Sequence, residues 1–320
     1  MKIKPGIPLL ILGSILLSAC GHAATADVPP VVEQATASPT PGPAASATLT
    51  PTLTALPSAT STTDPAQVLL EKRQQDILAY LAEPIDAAIA ANGGDWFILL
   101  QELGGDALYA RQADTPIWVD NIIHLPITML FLRSIEDKGV TEMKVYLTVN
   151  RDYETSLRQT LFEMQVYGNE SSAANVLRSI PKYGLNINQT LQAWDMADTS
   201  IPYKMSSPEN LVTLLDGLES RSLLSDESTV ITYDMLDQGD KASNPLYQLA
   251  PEGAIIHDKQ VSVSTKDAMQ GELAVVEVGG STYLLAIFGF SSEKEPVPYV
   301  DLAQDYAQMV QAFWGYVEVR

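Results

Sequence analysis

Apolar residues recur at helical spacing in the segment that follows Asp64-Pro65, and the pattern continues to Asn92-Gly93-Gly94. An acid followed by proline favours the start of a helix, and glycines favour its end. The pattern predicts one long amphipathic helix, with Leu70 on its apolar face and a kink at Pro84. The C-terminal segment VDLAQDYAQMVQAFWGYV has the same spacing and predicts another amphipathic helix.

Runs typical of β-strands stand on both sides of a helical middle, which extends from about residue 121 to 236. WFILLQEL and ALYARQ flank Gly104-Gly105-Asp106, which predicts a β-hairpin. AIIHDKQVSVST, GELAVVEV and STYLLAIFGF predict three further strands, the last two joined by a favoured turn at Gly279-Gly280. We expect an α+β fold: an antiparallel β-sheet flanked by helices, plus an all-helical lobe, with a cleft between them.

The first twenty residues have the pattern of an export signal. Lys2 and Lys4 precede an apolar run, and Leu17-Ser18-Ala19 leads to Cys20, the only cysteine of the chain. The run is shorter than the roughly 20 apolar residues that cross a bilayer. We expect a lipid on Cys20 that anchors an extracytoplasmic protein to the cell envelope membrane. The alternative is an ordinary secretory signal in which Cys20 is incidental.

Residues 20–63 are rich in Ala, Thr, Ser and Pro, a composition that cannot bury enough apolar surface to fold. The predicted organisation is a signal peptide over residues 1–19, a disordered stalk over 20–63 and one domain over 64–320. The formal net charge is −20, which argues against nucleic acid as a partner because phosphate contacts require clustered Lys or Arg. We predict no cofactor.

Several strings, in order, resemble class A β-lactamases and their penicillin-binding serine-hydrolase relatives over about residues 66–318. The segment from WFILLQEL to IEDKG resembles the first hairpin and nucleophile helix of that family, and EMQVYGNESSAANVL resembles its Ser-Asp-Asn turn. KMSSPENLVTLLDGL resembles a later helix, and PEGAIIHDKQVSV resembles the Lys-Thr-Gly strand. In the family, Ser-x-x-Lys, Ser-Asp-Asn and Lys-Thr-Gly converge on one cleft.

The resemblance implies that all three motifs are substituted here. Asn121 stands at the nucleophile position and His124 at the lysine of Ser-x-x-Lys. An amide cannot replace the serine oxygen as a nucleophile, so we expect a catalytically inactive domain. The match places Asn169, Glu170 and Ser171 on Ser-Asp-Asn, and it places Asp258 and Lys259, after a retained His257, on Lys-Thr. A shift of one residue would restore a lysine to that strand.

His124 has two further interpretations. Paired with Glu170 or Asp258, it would place an imidazole beside a carboxylate, an arrangement for acid–base work or for a metal. The alternative is a satisfied, half-buried polar residue, with Asn121 as the N-cap of the helix that it opens. The loop from Tyr183 to Lys204 has no glutamate suited to deacylation, and Asp195 and Asp198 are its nearest acids.

Two functions follow from the resemblance. The first is a binding module for a peptidoglycan stem peptide or an envelope protein, with Trp118 and Tyr167 at the cleft rim as candidate ligand contacts. The second is a residual hydrolase or D-Ala-D-Ala peptidase with a displaced nucleophile such as Ser171 or Ser172. The literal Ser-x-x-Lys matches at 179–182 and 291–294 lack the expected context, since one ends a helix and the other follows the last strand.

Overall fold

The computed structural model describes residues 64–152, 154–239, 241–263, 268–291 and 299–320. The predicted signal peptide, the stalk and Cys20 lie outside these residues, as does Lys294 of the second Ser-x-x-Lys match. The strands are β1 (Asp95–Glu102), β2 (Ala107–Arg111), β3 (Ile117–Trp118), β4 (Arg151–Asp152), β5 (Thr155–Ser156), β6 (Met205–Ser206), β7 (Ile255–Val263), β8 (Met269–Val278) and β9 (Ser281–Phe290). The helices are α1 (Pro65–Ile77), α2 (Glu83–Asn92), α3 (His124–Glu136), α4 (Met143–Val149), α5 (Leu157–Tyr167), α6 (Glu170–Ser179), α7 (Ile187–Ala193), α8 (Pro208–Glu219), α9 (Asp226–Leu236), α10 (Pro245–Gln248) and α11 (Tyr299–Val319).

The main sheet has five antiparallel strands in the order β2-β1-β9-β8-β7. The N-terminal hairpin therefore pairs with the last strand, which confirms a sheet built from both ends of the chain. Gly279 and Gly280 join β8 to β9 with φ values of 60° and 83°. Both lie in the left-handed region that a tight hairpin turn requires and that glycine adopts without steric cost. The predicted α+β class is confirmed.

Alternation along β9 places its side chains in two separate cores. Leu284 and Ala286 pack with the helical lobe, whereas Leu285 and Ile287 pack on the opposite face with residues of α2 and α11. All four are almost fully buried, and each fully buried leucine or isoleucine contributes about 1.5–3 kcal/mol. The sheet is thus covered on both faces.

The N-terminal helical segment differs from its prediction in two respects. A π-helical turn, Leu78–Ala82, separates α1 from α2, and the Glu83 N–H donates to the Leu78 carbonyl across it. The irregularity therefore lies just before Pro84, which occupies the first turn of α2. The expected amphipathic burial holds for α2 only, because α1 buries no residue and Leu70 is 55% exposed.

Helix α3 is the centre of the helical lobe, and all of its residues except Arg133 and Glu136 are buried. It follows a 3-10 turn, Asp120–Ile123, that packs against β7. This turn contains Asn121, the candidate at the nucleophile position, and places it beside β7, an edge strand of the sheet. Among the helices that the structure describes, none is long and apolar enough to cross a bilayer.

Candidate ligand-binding cleft

A cavity of about 140 Å³ lies where the sheet edge meets the helical lobe. Its lining comes from the 3-10 turn before α3, the end of α5, the end of α9 and strand β7. The lining residues are Asn121, Gln165, Val166, Met235, Leu236, Gly239, Asp258, Lys259 and Gln260. The positions that the resemblance assigns to the nucleophile and to the strand motif thus meet in one place.

Asn121 lies in the 3-10 turn, so the expectation that it caps α3 is wrong. The N-cap of α3 is Ile123, and the Asn121 carbonyl accepts a bond from the His124 N–H. The Asn121 Oδ1 is buried and has no hydrogen-bond partner among the described residues. A Cβ placed on Gly168 would lie 3.4 Å from Asn121 Nδ2, so Gly168 is the residue of the neighbouring turn that faces the nucleophile position.

Asn169 has a structural role in that turn. Its Oδ1 accepts a hydrogen bond of 3.1 Å from the Ser172 N–H and caps α6. The side chain that the resemblance matched to the serine of Ser-Asp-Asn is therefore committed to a helix end, where a cap contributes about 1 kcal/mol.

His124 is fully buried, and no side chain of the described residues makes a hydrogen bond to either ring nitrogen, although a backbone contact with Met164 opposes the lowering of its pKa. Its Nε2 lies 3.7 Å from Glu170 Oε1, too far for a hydrogen bond. Burial, and next the positive charge of Lys259, lower the pKa of His124 to about 4, so the imidazole is neutral at pH 7. The expectation of a satisfied, half-buried histidine is wrong, and a pairing with Glu170 exists only as this long contact.

Lys259 extends from β7 into the cleft, where its Nζ donates to the carbonyl of Gln165. The side chain is buried, and burial lowers its pKa to about 8 despite the nearby charges of Asp258 and Asp120. Adjacent side chains on a strand point to opposite faces. Lys259 is therefore the residue of β7 whose charged end reaches the helical lobe across the cleft, whereas the carboxylate of Asp258 bonds to Asn244 and Tyr247.

Asp258 and His257 form contacts elsewhere. The Asp258 carboxylate accepts hydrogen bonds from Asn244 Nδ2 at 3.1 Å and from Tyr247 OH at 2.5 Å, and burial raises its pKa. His257 Nδ1 lies 2.7 Å from Asp237 Oδ1. A pairing of Asp258 with His124 is therefore excluded, because the carboxylate is committed to Asn244 and Tyr247.

An ion network, missed by sequence reasoning, lies beside His124. Lys204 Nζ donates to Glu170 Oε1 at 2.6 Å and to Asp120 Oδ1 at 3.1 Å. Burial lowers the pKa of Lys204, but its hydrogen bonds to the two carboxylates outweigh that effect and raise the pKa overall. Asp120 and Lys204 both have positive φ, 43° and 52°, which costs non-glycine residues about 1 kcal/mol or more each. No sequence pattern predicts the positive φ of either residue.

The candidate serines do not pair with a lysine or a histidine in the part of the chain that the structure covers. Ser172 Oγ donates to Glu163 Oε2 at 3.1 Å, and Ser171 is exposed. Ser179 Oγ donates to the Asn175 carbonyl at 3.0 Å. No described lysine or histidine makes a hydrogen bond to any of these serines. Asp195 and Asp198, the acids considered for deacylation, are both exposed.

Exposed aromatic residues stand on the segments beside the ion network. Trp118 on β3 is 37% exposed and pairs with Met205, and Tyr167 at the end of α5 is 72% exposed. Tyr203, which sequence reasoning missed, is 76% exposed and precedes Lys204. Across the described ranges, no group of three or more metal-ligating side chains comes together.

Comparison with known proteins identifies the family. Residues 80–313 match the model of the β-lactamase enzyme family, so the chain belongs to that family. No curated protein matches. Solved structures show the same fold at low identity, among them a class A β-lactamase from Bacteroides cellulosilyticus with 12% identity and a TM-score of 0.61, covering 78% of this chain and 99% of that one.

Two further structures agree. A β-lactamase from Chitinophaga pinensis has 14% identity and a TM-score of 0.59, covering 73% of this chain and 97% of that one. The chromosome-encoded β-lactamase of Vibrio parahaemolyticus has 13% identity and a TM-score of 0.60, covering 74% and 99%. The solved structures show the fold, and the family match over residues 80–313 shows the class of protein, a β-lactamase-like serine hydrolase family.

Proposed function

We propose that this protein is an envelope-tethered lipoprotein whose β-lactamase-like domain binds a ligand and does not hydrolyse it. The main support for the proposal is the chemistry of the side chains at the cavity where the nucleophile position and the strand-motif positions meet. Asn121 presents an amide where the fold's enzymes present a nucleophile, and His124 is neutral and without a hydrogen bond to it. Loss of the nucleophile in a serine protease costs roughly a millionfold in turnover.

The unsatisfied polar atoms of the cleft support binding. Asn121 Oδ1 and Gln165 Nε2, on two residues that line the cavity, are buried without a partner among the described residues. Each such atom costs about 1–3 kcal/mol unless a bound group replaces the lost water. A ligand with both donors and acceptors recovers part of this cost when it enters the cavity.

The charge of the cleft indicates what that ligand carries. Lys259 holds a buried ammonium close to the cavity, and its only hydrogen-bond partner in the described residues is the neutral Gln165 carbonyl. A carboxylate placed near Nζ gains more than it does in water, because the site is desolvated. We therefore propose a peptide with a free C-terminal carboxylate, such as a peptidoglycan stem peptide ending in D-Ala-D-Ala.

The first experiment tests catalysis. The protein is treated with a fluorescent penicillin and a fluorophosphonate and analysed by intact mass, beside an Asn121→Ser/His124→Lys double variant. No adduct is expected on the parent chain. A stoichiometric adduct mapped to Ser171, Ser172 or another serine would overturn the proposal and identify a displaced nucleophile.

A second experiment tests binding. Calorimetry with a D-Ala-D-Ala-terminated peptide and with its C-terminal amide should show preference for the free carboxylate. Lys259→Met should abolish that preference, whereas Lys182→Met, an exposed lysine of the helical lobe, should keep it. Equal binding of acid and amide would refute the assignment.

A third experiment tests the lipid anchor. Labelled palmitate should be incorporated into the wild-type chain and not into Cys20→Ser.

A further inference from the structure

A second cavity, of about 330 Å³, lies among three helices of the helical lobe. Helices α4, α5 and α9 contact one another around it. Its volume lies at the lower end of the range for small-molecule sites. The lining residues are Lys144, Leu147, Arg158, Phe162, Ile231, Asp234, Met235 and Gln238.

The lining divides into an apolar part and a charged part. Leu147, Ile231 and Met235 are almost fully buried and Phe162 is partly buried. The charged side chains are exposed and comprise two bases and one acid, Asp234. A ligand that enters with its apolar part first therefore leaves its polar end among these charges, where the lining has a net charge of +1.

The two bases at this pocket, Lys144 and Arg158, keep an uncompensated positive charge beside an apolar cavity although the protein is acidic. The chain has 19 basic and 39 acidic residues, and bases such as Arg73, Lys204 and Arg320 form ion pairs. Neither Lys144 nor Arg158 forms an ion pair with any described residue. Two cations that remain unpaired in a strongly acidic protein, at one pocket, indicate an anionic partner.

We propose that this pocket binds a small amphiphilic carboxylate, such as a medium-chain fatty acid. The alkyl chain contacts Leu147, Ile231 and Met235, and the carboxylate faces Lys144 and Arg158. Met235 also lines the cleft described above, so the two cavities share this side chain in their linings. Methionine adapts its shape to irregular apolar ligands, which suits an alkyl chain.

The test uses the full chain with Cys20→Ser, which removes the predicted acylation site. Decanoate is titrated below its micelle concentration, with decanol and decyltrimethylammonium as neutral and cationic probes. Decanoate should bind most tightly. The Lys144→Gln/Arg158→Gln double variant should weaken decanoate about tenfold, as expected for two exposed charge contacts. Arg178→Gln/Lys182→Gln removes the same charge elsewhere on the lobe and should leave the affinity unchanged.

Asp234→Asn removes a negative charge from the pocket lining, so it changes the charge of the pocket in the opposite direction. It should tighten decanoate about threefold and weaken decyltrimethylammonium, because only the charge at the pocket differs. The ¹³C-methyl signal of Ile231, which lines this cavity and not the cleft, is assigned with Ile231→Val and should shift on titration. Decanoate affinity that does not respond to either charge change, or an Ile231 signal that does not shift, would overturn the proposal. Neither outcome depends on whether the cleft binds a peptide.

Discussion

Protonation of His124 should cost folding free energy, because the imidazole is fully buried and lies near the positive charge of Lys259. The ordinary pKa of the histidine is 6.5, and burial together with the charge of Lys259 lowers it to about 4 in the folded protein. The unfolded chain therefore binds a proton that the folded chain excludes. Stability present above pH 6.5 is lost as the pH falls toward 4.

The magnitude follows from the difference in pKa. Each pKa unit corresponds to about 1.4 kcal/mol, so the complete loss is about 3 kcal/mol, with about 2.5 kcal/mol of it reached by pH 4.5. This is a large fraction of the 5–15 kcal/mol that is typical of a folded domain, quoted as an order of magnitude.

Urea unfolding at pH 7.5 and pH 4.5 measures this loss in the wild type and in His124→Leu. Other groups change protonation over the same range, including the buried carboxyls Asp258 and Glu272, whose pKa values are raised. Their contribution is common to both proteins and cancels in the difference. The wild type should lose about 2.5 kcal/mol more than the variant. Parallel losses would refute the argument that His124 is held neutral by burial.

Three further changes test the surrounding structure. Burial and the neighbouring charge of Asp258 raise the pKa of Glu272, so the wild type loses stability as the pH rises above 4.5, and Glu272→Gln should be more stable than the wild type at pH 8 in urea unfolding. Asn169→Ala should cost about 1 kcal/mol by removing the cap of α6, whereas Asn169→Asp should cost little. Gly289→Ala would place a Cβ 2.6 Å from the buried Trp96 ring, and the melting temperature should fall by an amount that corresponds to about 1–3 kcal/mol; an unchanged value would contradict the packing.

Much of the fold was predictable because periodicity encodes it locally. The nearly continuous apolar runs in GELAVVEV and STYLLAIFGF and the Gly279-Gly280 turn between them favour a buried hairpin without reference to the rest of the chain. The helical spacing before Asn92 likewise predicted helix. It did not predict that α1 remains exposed, because burial depends on what another part of the chain brings alongside.

The site was predictable only as a set of candidates. The resemblance of the sequence to the β-lactamase family implied that Asn121, His124 and the Asp258-Lys259 pair lie near one cleft. Only the tertiary structure decided that Lys259 faces the cleft and that Asp258 is bonded to Asn244 and Tyr247, because a one-residue change of register reverses every side chain on a strand.

Burial and long-range contacts decided the rest. The charge state of His124 depends on desolvation by residues distant in sequence, and the Lys204 network joins segments 34 and 84 residues apart. No local pattern specifies such contacts. The amino-acid sequence determined which elements form and which chemical groups are absent from the cleft, whereas packing determined which of the remaining groups meet and in what charge state.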